Sequence, residues 1–157
     1  MSRDEVGGAS VEQLYQELTD VESSSGEGAL PEHRSAEIVE SVTDQLFPER
    51  SFRFEEELVK DSLDELLLVL VALRDGETHG KGLMEDLSQL FVARLSPGTV
   101  YPRLHDLEDD DVLEMHELVR TKEYRIADHE ETRARIESAM TQHLALGFVF
   151  YSALEEL

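Results

Sequence analysis

The stretch from Leu95 to Glu108 constrains the fold of this chain more than any other, because it encodes where a short helix begins. Ser96 is a preferred N-cap residue, and its hydroxyl oxygen can accept a hydrogen bond from the backbone N–H of Thr99. Pro97 then occupies the first helical position, where a missing N–H removes no helical hydrogen bond. The sequence therefore predicts a helix that begins sharply at Ser96.

The same segment predicts a helix with one apolar face and one polar face. Val100, Leu104 and Leu107 recur at i, i+4 and i+7, the spacing of a stripe that packs on a core. The other positions include hydroxyl and guanidinium groups, carried by Thr99, Tyr101 and Arg103. Such a face suits the groove of duplex DNA, although many ordinary surface helices share the pattern.

The flanking segments supply a context for this helix. The strongly apolar run 63–73, a break at 75–80 and a helical pattern over 82–91 precede it. Two short strand-like runs follow, at 112–119 and 123–127, around the cationic tip Arg120-Thr121-Lys122. Helix, helix, capped helix, strand and strand is the element order of a winged helix-turn-helix.

Residues 63–128 resemble the PadR family of winged-helix transcriptional regulators. The matching segments are Leu66–Leu73, His79–Leu83, Leu95–Leu104 and Tyr124–Ile126, and Ser-Pro-Gly-Thr-x-Tyr-Pro at 96–102 is the most specific of them. This chain has Asp111 where the family usually has glycine after the recognition helix. The resemblance implies a DNA-binding regulator, in most members a repressor. It also implies a dimer formed through the C-terminal helix, and it allows a small-molecule effector, which some members bind at the dimer interface.

The sequence thus predicts a mainly α fold with a small β-hairpin: a winged helix-turn-helix plus a C-terminal dimerisation helix and an acidic N-terminal extension. The predicted boundaries are 1–50 for a partly flexible extension, 51–128 for the DNA-binding domain and 129–157 for the dimerisation helix, with Asp128 as its cap. Within the extension, apolar spacing predicts helices near 11–21 and 38–46, separated by a Ser/Gly-rich linker at 23–28.

The C-terminal helix becomes more apolar toward its end, which is unusual for an exposed surface of a monomer. A twofold dimer would bury this surface and pair two recognition helices. The expected dimerisation residues are Ile136, Met140, Leu144, Phe148 and Tyr151. The alternative is that residues 144–154 fold back onto their own domain or onto residues 11–21.

Net charge is the observation that fits DNA binding least well. The chain has 36 acidic against 14 basic residues, a formal charge of −22, and only three lysines. Acidic residues are spread along the whole chain, a pattern that resembles halophilic cytosolic proteins. At molar salt the Debye length falls to about 3 Å, so that repulsion between distant charges and DNA is screened. Five of the basic residues nevertheless lie near the predicted helix and wing: Arg94, Arg103, Arg120, Lys122 and Arg125.

Seven residues are the candidate DNA contacts: Arg94, Ser96, Thr99, Tyr101, Arg103, Arg120 and Lys122. We expect recognition helix 96–108 to enter the major groove and wing 119–123 to contact the backbone or minor groove of double-stranded DNA. Arginine can donate two hydrogen bonds to one guanine, and hydroxyls can reach phosphates or base edges. Alternatives stay open: Tyr101 could anchor the helix, Arg94 could form a surface salt bridge, and the wing cations could be solvated.

Other function classes have little support in the sequence. No cysteine is present, which excludes disulfides and thiolate metal sites, and no apolar run is long enough to span a membrane. No nucleophile–base arrangement, phosphate loop or metal-ligand spacing is apparent, so we expect no enzyme, no cofactor and no metal. The sequence therefore predicts a cytoplasmic, homodimeric, sequence-specific regulator. The alternative is an acidic winged-helix interaction module that binds a protein partner or mimics DNA.

Overall fold

The computed structural model describes residues 34–49, 52–74 and 78–157. The chain separates into two compact units, 1–52 and 53–157. In the first unit the described helix is α1 (Arg34–Leu46), which confirms the helix predicted near 38–46. The predicted helix at 11–21 and the linker at 23–28 lie outside the described residues.

The second unit contains five helices and three strands among its described residues. In chain order they are α2 (Glu56–Asp61), α3 (Leu63–Leu73), β1 (Thr78–His79), α4 (Gly80–Leu90), α5 (Pro97–Asp109), β2 (Leu113–Glu117), β3 (Lys122–Ile126) and α6 (His129–Leu154). Helices α3, α4 and α5 followed by the β2–β3 hairpin form the predicted winged helix-turn-helix. The predicted mainly α winged-helix fold is confirmed, whereas most of the predicted extension 1–50 lies outside the described residues.

Helix α3 forms the centre of the core because it is apolar on most of its surface. It contacts α4, α5, α6 and β3. The apolar stripe of α5 faces this core, and Val100, Leu104 and Leu107 are all buried, as their spacing predicted. Burial of this stripe fixes which residues of α5 remain exposed.

The β-sheet has three strands, one more than the hairpin that the sequence predicted. Strands β2 and β3 pair antiparallel, and β1 pairs with the other edge of β3, Thr78 opposite Tyr124. Sequence patterning indicated a break where β1 lies, because a strand of two residues is too short for alternation to be seen. Strand β1 leads directly into α4 and thereby places the first residues of α4 beside the wing.

Helix α5 begins at the predicted residue but by a different hydrogen bond. The backbone N–H of Thr99 donates to the carbonyl oxygen of Ser96 at 2.9 Å. The Ser96 hydroxyl lies instead 3.2 Å from the Thr99 hydroxyl. The predicted side-chain cap is therefore wrong, because the Ser96 carbonyl satisfies the N–H that the hydroxyl was expected to cap.

The end of α5 explains the departure from the family at Asp111. The N–H of Asp111 donates to Glu108 O at 2.9 Å, and that of Val112 to Leu107 O at 3.0 Å. This pair of bonds is a Schellman motif, which requires a left-handed residue just past the helix. Asp111 has a φ of 59° and occupies that position. Aspartate tolerates this conformation better than most residues, but glycine adopts it without a Cβ penalty.

We expect Asp111→Gly to raise the free energy of unfolding by about 0.5 to 1 kcal/mol, because it relieves the left-handed strain. Urea denaturation followed by circular dichroism measures the change. The control is Asp109→Gly, which places glycine at the last helical residue and should lower stability by a similar amount. Equal destabilisation by both substitutions would contradict the assignment.

Helix α6 begins at the predicted cap, where the Asp128 carboxylate accepts a hydrogen bond from the N–H of Glu131 at 3.0 Å. It contains 26 residues, which corresponds to about 39 Å of helix. Its first half contacts α3. From Leu146 to Leu154 every large apolar side chain is exposed.

Candidate nucleic-acid interface

An open groove separates the wing from the first residues of α4 and α5. It has a volume of about 560 Å³, and we call it the wing–helix groove. Its lining consists of His79, Gly80, Lys81, Tyr101 and residues 117–122. Strands β1 and β2 both pair with β3, so that the end of β1 and the β2–β3 hairpin belong to one wall of the groove. The groove therefore depends on the third strand, which the sequence did not predict.

Three of the seven candidate DNA contacts line this groove: Tyr101, Arg120 and Lys122. Lys81 joins them from the first turn of α4, against a single lining carboxylate, Glu117. The groove is therefore cationic in a chain whose net charge is −22. Lys81 was not among the seven predicted DNA contacts, although it lies within the His79–Leu83 segment that resembles the family.

The remaining four candidates lie outside the lining of the groove, on α5 and just before it. Arg94 is exposed, and so is Ser96 at the start of α5. Thr99 is half-buried and Arg103 is exposed, one turn farther along the helix. The Ser96 and Thr99 hydroxyls lie 3.2 Å apart and can hydrogen bond to each other. The structure thus divides the seven candidates between a groove and an adjoining helix face.

Tyr101 packs on the first residue of α4. A Cβ built on Gly80 would lie 2.7 Å from the Tyr101 hydroxyl oxygen and 2.8 Å from the ring atom Cε1. The aromatic ring therefore covers the Gly80 backbone, and Tyr101 serves as an anchor between α5 and α4 while still lining the groove. Beneath it, burial raises the pKa of Tyr124 to about 12, with smaller contributions from Tyr101 and Glu108.

Gly80→Ala is expected to lower the free energy of unfolding by about 1 to 3 kcal/mol, because the new methyl group displaces the Tyr101 ring. Thermal unfolding followed by circular dichroism measures this effect. Gly98→Ala is the matched control: its Cβ would meet only Ser96 Oγ at 3.7 Å, an ordinary contact. Since alanine favours helix, the control should be neutral or slightly stabilising. A neutral Gly80→Ala would refute the anchoring contact.

Arg103 has an intramolecular partner that its sequence context did not indicate. Its Nη1 lies 3.5 Å from Oδ2 of Asp64, in the first turn of α3. Burial raises the pKa of Asp64, and the charge of Arg103 opposes that rise. Both side chains remain partly exposed, so that the ion pair is weak and Arg103 can be released to another partner at small cost.

Charge is distributed unevenly along α5. Residues 97–105 contain Arg103 and no acid, whereas 106–111 contain five carboxylates. On the acidic end, Asp110 Oδ2 lies 3.4 Å from Nη2 of Arg135 in α6. Arg135 also binds Glu131, with Nε 2.9 Å from Oε1. Only the N-terminal half of α5 is therefore electrostatically suited to approach a polyanion.

The five predicted dimerisation residues fall into two groups. Ile136 and Met140 line an apolar groove of about 280 Å³ between α6 and helices α2 and α3 of the same chain, and Leu144 is half-buried. Phe148 and Tyr151 are 38% and 51% exposed. Met140 is nevertheless 53% exposed. Ile136 and Leu144 are therefore the partly buried members of the set, and Met140, Phe148 and Tyr151 are accessible.

Within the described ranges, no group of three or more histidine or acidic residues is arranged to hold a metal ion. In the same part of the chain, no helix combines the length and apolar character needed to cross a bilayer.

Comparisons with known proteins relate this chain to transcriptional regulators. The model of the PadR-like family of transcriptional regulators matches residues 69–134. The transcriptional activator GvpE of Haloferax mediterranei is 48% identical over 87 residues, covering 55% of this chain and 45% of that protein. The transcriptional activator GvpE1 of Halobacterium salinarum is 42% identical over 99 residues, covering 63% and 51%. The chain spans about half the length of these relatives.

Among solved structures, a PadR-like transcription factor from Bacteroides fragilis covers 64% of this chain and 93% of its own, with 18% identity and a TM-score of 0.40.

Proposed function

We propose that this chain binds double-stranded DNA sequence-specifically, because residues 69–134 match the model of the PadR-like family of transcriptional regulators. The observation that carries the proposal is the wing–helix groove. It collects Lys81, Arg120 and Lys122 beside the acid-free half of α5, in an otherwise strongly acidic chain. A recognition helix that enters the major groove by its N-terminal residues would bring the wing onto the flanking backbone or minor groove.

Within this arrangement the candidate residues have different roles. Arg103 would exchange Asp64 for a guanine, on which its guanidinium can donate two hydrogen bonds. Thr99 and Ser96 would turn their hydroxyls to a phosphate or base edge. Lys81, Arg120, Lys122 and Arg94 would contact phosphates, which position the protein without reading sequence. Tyr101 would keep α5 in place on α4.

We further propose that the protein acts as a homodimer. The end of α6, where Phe148, Tyr151 and the other large apolar side chains are exposed, is the kind of surface that marks an interaction site. A twofold axis through this surface would present two recognition helices to an inverted repeat.

The names of the relatives bear on the proposed direction of regulation. The family resemblance implied repression, but the matched relatives from Haloferax and Halobacterium are named activators, and these names do not support a repressor. We therefore propose that this chain activates transcription, and that it does so in the cytoplasm, where the chromosome lies.

We also propose that the protein works at high salt concentration. The dispersed carboxylates and the presence of only three lysines support this, because such a surface remains hydrated in concentrated salt.

A gel-shift series tests the proposal against the interaction-module alternative, which the net charge of −22 favours. The full chain is titrated onto a duplex from its own upstream region and onto a scrambled duplex, from 0.2 to 2 M KCl. We expect specific retention that survives at high salt. If neither duplex is retained at any salt concentration, the result would favour the interaction module that binds a protein partner.

A further inference from the structure

The tip of the wing is apolar, although the sequence placed its apolar residues in a strand. Strand β2 ends at Glu117, and the N–H of Leu118 donates to Thr121 O at 2.8 Å to close the loop. Val119 and Arg120 are consequently the outermost residues. Val119 is 102% exposed and Leu118 is 48% exposed. We call Leu118 and Val119 the apolar wing tip.

The surroundings of this tip indicate which partner it meets. Arg120 and Lys122 follow it on the chain, Glu117 precedes it, and Lys81 lines the same wing–helix groove. Cations concentrated at one loop of an acidic chain complement a polyanion rather than an apolar protein surface. Because the tip shares its groove with Tyr101 of α5, a duplex held by α5 would lie against it.

On the basis of the function proposed above, we propose that the apolar wing tip enters the minor groove of the bound duplex. Val119 contacts the floor and sugar walls of the groove, and Leu118 rests on the adjoining sugar. Apolar side chains used in this way wedge against base steps and favour sequences that deform easily. Val119 is thereby a specificity-determining residue, selecting A·T-rich steps at the flank that α5 does not contact.

The salt dependence of the binding affinity distinguishes this apolar contact from the contacts made by charged side chains. Phosphate contacts owe most of their free energy to counterion release, which declines as salt rises. Removal of apolar surface from water does not decline in this way, and excluded salts strengthen it. The contribution of Val119 to affinity therefore persists at salt concentrations where that of Arg120 has largely disappeared.

The first test compares Val119→Thr with Arg120→Gln in gel shifts of the full chain on its upstream duplex. Val119→Thr keeps the shape of the side chain and removes apolar surface. It should weaken binding about fivefold at both 0.2 and 2 M KCl. Arg120→Gln should weaken it mainly at 0.2 M. Ile38→Thr, at an exposed β-branched residue of α1, is the control and should change nothing.

The second test changes the DNA. Replacing the A·T pairs under the wing by G·C places a guanine amino group in the minor groove and should weaken binding. Inosine·cytosine pairs lack that amino group and should restore binding. If Val119→Thr binds normally while Arg103→Ala does not, the wing-tip proposal is wrong and the proposed function stands. If the wild type binds no DNA, both proposals fail.

Discussion

The double substitution Phe148→Asp/Tyr151→Asp is expected to convert a dimer into a monomer and to abolish tight operator binding. Both side chains are exposed on the apolar end of α6, and two carboxylates there cannot be buried against a second subunit without a large desolvation penalty. Since the two recognition helices would no longer be linked, affinity for an inverted repeat should fall on the order of 100-fold or more.

Sedimentation equilibrium and a gel shift measure the two effects. The wild type should sediment at twice the chain mass of 17.8 kDa, and the variant at that mass. The control Ser138→Asp/Gln142→Asp adds the same charge at exposed polar positions of α6 that precede the apolar end, and it should remain dimeric. A monomeric wild type, or a dimeric double variant, would contradict a dimer interface at the end of α6.

The second large effect is expected at Arg103. Arg103→Ala should weaken binding to the operator by about 1 to 3 kcal/mol and relax the preference for guanine at one position, because a forked pair of hydrogen bonds is lost. Arg103→Lys should recover only part of this, since lysine provides a charge without the fork. Fluorescence anisotropy on the operator and on single-base variants measures both quantities.

Arg133→Ala is the matched control, because it removes one positive charge from the exposed surface of α6. If it weakens binding as much as Arg103→Ala, net charge rather than readout explains the loss. Unchanged binding of Arg103→Ala would remove Arg103 from the recognition face and leave it as the surface partner of Asp64.

The main elements of the fold were predictable because their signals are local. Ser96-Pro97 marked where α5 begins, the spacing of Val100, Leu104 and Leu107 marked its buried face, and Asp128 marked the start of α6. These features depend on residues within one or two turns of each other. For this reason the structure confirms the hairpin and the helices that were predicted within the described residues.

The features that could not be predicted from the sequence depend on contacts between segments that are distant along the chain. Strand β1 is recognisable only once β3 is beside it. The pairing of Arg103 with Asp64 joins residues 39 positions apart. Lys81 enters the site because Gly80 allows Tyr101 to pack on α4. Local periodicity does not encode such pairs.

Asp111 is an intermediate case. The family comparison showed that glycine was missing after the recognition helix, but not why this was tolerated. The positive φ and the two Schellman hydrogen bonds show that the backbone still adopts the glycine conformation. The departure therefore has its effect on stability rather than on the path of the chain.

Genome-wide occupancy of the tagged full-length chain, compared between the wild type and Arg103→Ala, tests the central claim most directly. We expect a limited set of sites that share an inverted repeat, with guanine in each half-site and A·T-rich flanks. These sites should be lost or degenerate in Arg103→Ala. Occupancy without a shared motif, or a motif unaffected by Arg103→Ala, would contradict the claim that α5 and the wing read DNA.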